Sequence, residues 1–171
     1  MSFLGAALNV IGCGAAQRPD GGSGMLQAGA HAPDVQGRDV TGQSVRLEEP
    51  SRKPAIVYFY PKDDTPGCTK EACAFRDAFD QFKQAGVTVF GVSRDTASSH
   101  EAFRKKHSLP FVLVSDESGD VQKAYGVSSF FSMPSRVSFL VGRDGKIAKV
   151  WPKVDPVMHA SEVLAEAKAL P

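Results

Sequence analysis

Residues 55–60, Ala-Ile-Val-Tyr-Phe-Tyr, form an apolar run that stops at Pro61. Such a run reads as a buried strand, and proline, which cannot donate to a ladder, marks its end. A polar loop follows, and Thr65-Pro66 then supplies an N-cap residue with proline at the first helical position. Beyond the cap, Cys68, Ala72, Phe75, Phe79 and Phe82 recur at spacings of four, three, four and three. That stripe is one face of a long amphipathic helix, closed by Gly86. A strand, a loop and a helix in this order leave little freedom, and they put Cys68 on the first helical turn, facing inward.

A cysteine placed there meets several groups that favour its thiolate. First-turn N–H groups have no intrahelical acceptor and point toward an anion, and the helix dipole adds partial positive charge. Thr65, three residues earlier, is placed to bring a hydroxyl beside the sulfur. The bland alternative is a small buried residue that happens to be a thiol. Cys73 lies five residues on, a turn of roughly 140° and a rise of about 7.5 Å in a regular helix, which sets the Cα atoms some 8–9 Å apart. A disulfide needs about 7 Å or less, so two cysteines in one intact helix cannot bond until its first turns unwind.

The run Pro61-x-x-x-Thr65-x-x-Cys68 resembles the active-site motif of peroxiredoxins. With Gly67, Glu71 and Cys73 it is similar to the bacterioferritin-comigratory, or peroxiredoxin Q, subfamily, whose resolving cysteine lies five residues on. The likeness continues through Ser115-Asp116, Ala124-Tyr125-Gly126-Val127, residues 134–140 and residues 150–154, covering the chain from about residue 28 to its end. The resemblance implies a thioredoxin-like fold and a thiol peroxidase that reduces hydrogen peroxide and organic hydroperoxides. It implies Cys68 as peroxidatic nucleophile and Cys73 as resolving thiol, with Thr65 and Arg136 holding peroxide and stabilising the thiolate. Pro61, Gly67 and Glu71 are implied as supporting residues. A Cys68–Cys73 disulfide recycled by thioredoxin or a similar dithiol protein follows from the same likeness, as does a monomer without metal, flavin or haem.

Composition is compatible with this. The 171 residues suit one domain with a proper core, at 42% hydrophobic and 23% charged. A formal net charge of +1 gives no electrostatic footprint for nucleic acid. Three cysteines form neither a disulfide scaffold nor a zinc-type Cys-x-x-Cys pair, and the four histidines lack metal-ligand spacing. No stretch approaches the length of a membrane span.

The first 24 residues differ from the rest, with a mildly apolar segment and then a proline-, glycine- and serine-bearing tract over residues 18–24 that reads as flexible. Val10-Ile11-Gly12-Cys13 resembles a lipoprotein cleavage box, yet residues 1–9 lack the lysine or arginine with which a leader opens. A mis-assigned start, a disordered extension and a lipid anchor at Cys13 remain open, with residues 25–171 as the domain. The expected location is cytoplasmic, or periplasmic or lipid-anchored if residues 1–12 are a signal.

Along the domain, residues 35–40 and 44–47 read as a short hairpin, residues 87–93 and 111–115 as strands, and residues 98–107 as a helix with Ala102, Phe103 and Lys106 inward. Residues 119–125 read as a short helix. Residues 137–141 and 146–151 read as a hairpin around Gly142-Arg143-Asp144-Gly145, and residues 156–170 as a last helix with Val157, Val163, Leu164 and Ala167 apolar. The sum is an α/β chain with a mixed central sheet flanked by helices. Asp63 and Asp64 read as solvated loop residues, and Phe130, Phe131 and Met133 as a short apolar loop. The rival readings are a thioredoxin-type disulfide oxidoreductase and a binding domain with an inert Cys68.

Overall fold

The computed structural model describes residues 17–47 and 53–171. The segment around Cys13 therefore lies outside the described residues. A seven-stranded mixed sheet forms the centre, built from β1 (Gln36–Arg38), β2 (Ser44–Arg46), β3 (Ala55–Phe59), β4 (Thr88–Ser93), β5 (Val112–Ser115), β8 (Val137–Val141) and β9 (Ile147–Trp151). Its order is β2-β1-β5-β4-β3-β8-β9. Strands β3, β4 and β5 run parallel, and β8 and β9 are antiparallel additions on the far side of β3. A separate two-stranded hairpin joins β6 (Ser129–Phe130) to β7 (Met133–Pro134).

Every residue of β3 is buried, because its two faces meet two different cores. Ile56, Tyr58 and Tyr60 join Phe75 and Phe82, Phe103 and Leu164 from the helices α1 (Pro66–Asp77), α2 (Phe79–Gln84), α3 (Ala97–His107) and α5 (His159–Lys168). Ala55, Val57 and Phe59 point the other way, toward Val121 and Tyr125 on and just after α4 (Asp120–Ala124). The alternation follows from the two-residue side-chain period of a strand. The expected mixed sheet flanked by helices is present.

Several local readings need correction. The helix after Thr65 does not run unbroken to Gly86: it ends at Ala78, with φ −93° and ψ 1°, and restarts as α2. The break leaves Phe79 half-buried while Phe82 still reaches the core. On α3 the inward residues are His100 and Phe103; Ala102 and Lys106 are exposed. Val157 precedes α5 and is 61% exposed, whereas Val163, Leu164 and Ala167 are buried.

The tract over residues 18–24 is folded as a closed turn. Gln17 bridges Ser23, and the Arg18 guanidinium donates to the Gly24 carbonyl at 2.8 Å. Gly24 lies so close to Gly126 that a Cβ there would sit 1.9 Å from the Gly24 oxygen, and Gly126 has a φ of +68°. Glycine meets both demands. Among the described residues, no helix is long and apolar enough to cross a membrane.

Candidate active site

Thr65 is the N-cap of α1 in extended geometry, followed by Pro66, and Cys68 falls on the first turn. The Thr65 hydroxyl does not cap the helix; it donates to the Lys62 carbonyl at 3.0 Å and so closes the loop on itself. Cys68 is 2% exposed. Cys73 lies on the same helix and is partly exposed, and both cysteines carry free thiols. The intact helix thus separates them by more than disulfide reach.

Arg136 comes from the opposite side, one residue before β8. Its Nη2 donates to Cys68 Sγ at 3.1 Å, and its Nη1 donates to Glu71 Oε2. The guanidinium side chain is 18% exposed and the Glu71 side chain wholly buried. One fixed cation is therefore shared by the sulfur and the carboxylate, the arrangement a planar guanidinium suits. Gly67 makes room for it: a Cβ at that position would lie 3.3 Å from Arg136 Nη2.

Burial pushes the Glu71 carboxyl up to about 7, against the pull of Arg136. Its second oxygen, Oε1, has no hydrogen-bond partner. His159, beneath the site, is held near 4 by burial, with the Arg136 charge acting in the same direction. Its Nε2 pairs with Ser138 Oγ at 2.8 Å, and its ring meets Phe75 and Trp151 edge-on.

Asp63 is not a solvated loop residue. It is 7% exposed and accepts hydrogen bonds from the Tyr60 hydroxyl at 2.7 Å, the Ser99 hydroxyl at 2.7 Å and His100 Nδ1 at 2.8 Å. Its own amide donates to Asp95 Oδ2 at 2.9 Å. The loop ahead of Cys68 is thereby pinned to α3 and to the end of β4. Asp64 stays exposed, at φ +57°, between Lys106 and His107. No cluster of histidine, cysteine and acidic side chains able to hold a metal occurs among the described residues.

Thr65, Gly67, Cys68 and Glu71 thus lie on the N-cap and first two turns of α1, Pro61 follows the strand that feeds it, and Arg136 closes it from the start of β8, beside the end of β3. Cys73 stands apart, farther along α1. The Asp63 network escaped the sequence because its partners Ser99 and His100 sit more than thirty residues away, and no local spacing announces them.

Residues 28–150 match the model of the AhpC/TSA family. A chloroplastic peroxiredoxin Q from Oryza sativa subsp. japonica is 41% identical over 150 residues, covering 86% of this chain and 69% of that protein. The crystal structure of peroxidoxin BcpB from Mycobacterium tuberculosis superposes with a TM-score of 0.79 at 30% identity, covering 85% of this chain and 99% of the other. A peroxiredoxin Q structure from Xanthomonas campestris gives 0.73 at 33% identity, covering 85% and 96%. The fold is thioredoxin-like, and the chain belongs to the AhpC/TSA family, among its peroxiredoxin Q and Bcp members, as a thiol-dependent peroxidase.

Proposed function

We propose that Cys68 is the sulfur that hydroperoxides oxidise, that Cys73 resolves the product as an intramolecular disulfide, and that a thioredoxin-type dithiol protein restores both thiols. The observation that carries this reading is the Arg136 guanidinium 3.1 Å from Cys68 Sγ at a helix N-terminus. Both features stabilise negative charge on sulfur.

The thiolate attacks the terminal oxygen of hydrogen peroxide or an organic hydroperoxide. The O–O bond breaks, water or alcohol leaves with the hydroperoxide proton, and Cys68 becomes a sulfenate, which a proton from solvent converts to the sulfenic acid. Arg136 and the first-turn amides hold the developing charge on oxygen, and Thr65 offers its hydroxyl oxygen to the peroxide proton. Glu71 orients Arg136, Gly67 leaves room for it, and Pro61 ends β3 so that the loop can turn. Unwinding of the first turns of α1 then brings Cys68 to Cys73, the S–S bond forms, and water leaves. Exchange with an external dithiol completes the cycle. No cofactor takes part in this scheme. The enzyme acts as a monomer in the cytoplasm, where two free thiols persist.

Cys68→Ser abolishes peroxide consumption. Cys73→Ser retains the first turnover and cannot be recycled by thioredoxin; indefinite turnover of that variant with thioredoxin alone would remove Cys73 from the cycle.

A further inference from the structure

The segment that carries both cysteines is held at its two ends by one helix. Before Cys68, the Asp63 carboxylate accepts from the Ser99 hydroxyl at 2.7 Å and pairs with His100 Nδ1 at 2.8 Å, both on the first turn of α3. Asp64, next to it, accepts from the Lys106 ammonium and pairs with His107 Nε2 at 3.0 Å, on the last turn of α3. After Cys73, Arg76 Nη1 donates to the His107 carbonyl at 2.9 Å, while Nε and Nη2 face Asp77. His107 thus touches both ends, one through its ring and the other through its carbonyl. Residues 65–75, with Cys68 and Cys73, lie between. The helix that holds them is itself anchored, since His100 is wholly buried and Phe103 is buried against Tyr60. Just past Arg76, the helical run is already interrupted at Ala78.

We infer that α3 is a two-ended clasp, with Asp63 and Arg76 as positioning residues, which keeps both ends of this segment fixed while the turns between them unwind. The inference rests on the proposed Cys68–Cys73 disulfide, because that step is what requires unwinding. With both ends held, unwinding opens an internal loop and not a frayed helix. Phe82 on α2 keeps its place in the core, and Cys68 is returned to Arg136 once the disulfide is reduced. The far end needs its own fastening, since a helical turn as short as the one left beyond Cys73 does not persist unaided.

Amide exchange followed by NMR, on reduced protein and on protein oxidised with one equivalent of hydrogen peroxide, tests this. In the parent, oxidation makes the amides of residues 69–73 exchange quickly. The Asp63 amide, which donates to Asp95, and the Gln81, Phe82 and Ala85 amides of α2 and its cap stay slow in both forms. Arg76→Met changes the reduced form little, and in the oxidised form the three α2 amides exchange about tenfold faster, the scale of one hydrogen bond to a charged group. Arg76→Lys, which keeps a donor for the His107 carbonyl, recovers part of the loss. A loss equal in both forms marks an ordinary structural contact and would overturn the clasp, as would Asp63 or α2 amides that turn fast when the parent is oxidised. If peroxide yields no 68–73 crosslink, the resolving role fails, and the clasp is read from reduced protein alone. In sub-denaturing urea, residues 69–73 then open before the α2 amides in the parent and together with them in Arg76→Met. Coincident opening in both proteins would overturn it.

Discussion

Arg136 Nη2 stands 3.1 Å from Cys68 Sγ while Nη1 of the same guanidinium is bound by the buried Glu71 carboxylate. A single cation thus serves a reactive sulfur and a side chain that burial would prefer neutral. The site's behaviour follows from that sharing.

Arg136→Ala removes the group that holds charge on sulfur and on the breaking O–O bond. Second-order consumption of hydrogen peroxide falls by about a hundredfold, the scale for losing one preorganised donor. It also strips Glu71 of its cation, so the variant is less stable. Adding Glu71→Gln restores stability, measured by denaturant titration, and does not restore the rate.

Glu71 and His159 impose opposite pH slopes on stability. Glu71 has a folded value near 7, above its ordinary 4.5, so the folded state binds the extra proton and stability is lost as pH rises from about 4.5 to 7. His159 is held near 4, below its ordinary 6.5, so stability is lost as pH falls from about 6.5 to 4. Between about 4.5 and 6.5 the two slopes cancel. Glu71→Gln unmasks a rise in stability with pH over that window, and His159→Gln unmasks a fall, each as much as about 3 kcal/mol across its full range. Denaturation midpoints at a series of pH values check both signs.

Gly67→Ala separates fit from folding. A Cβ there meets Arg136 Nη2 at 3.3 Å, tighter than most contacts, so the guanidinium must give way by a few tenths of an ångström. Alanine also suits the helix better than glycine, by up to about 1 kcal/mol. The expected variant reduces peroxide severalfold more slowly and melts no lower than the parent.

Asp63→Ala leaves Tyr60, Ser99 and His100 without their shared acceptor in a buried setting. Stability falls by about 1–3 kcal/mol, and the loop before Cys68 exchanges its amide hydrogens faster. Asp63→Asn, which keeps the shape and part of the bonding, falls between the variant and the parent.

The sequence was most legible where structure is local. The apolar run before Pro61, the Thr65-Pro66 cap and the hairpin around Gly142-Arg143-Asp144-Gly145 carry their own signals, and the strands and α1 begin where those signals put them. Arg136 had no such signal; only its surrounding motif raised it above an ordinary surface arginine, because its distance from Cys68 closes through the β3–β8 pairing. Asp63 looked solvated because a local reading cannot see α3 folding over it. The break at Ala78 carries neither glycine nor proline, and the spacing of Phe79 and Phe82 continues straight through it.

The central claim is that Cys68 is the sulfur peroxide oxidises and that Cys73 captures it. Trypsin cuts after Lys62, Lys70 and Arg76 and so separates the two cysteines. Reduced protein treated with one equivalent of hydrogen peroxide and then digested without reductant should yield the 63–70 and 71–76 peptides joined, short of two hydrogens, and parted by reduction. Recovery of the 63–70 peptide with a free, unoxidised thiol after the peroxide has been consumed would contradict it.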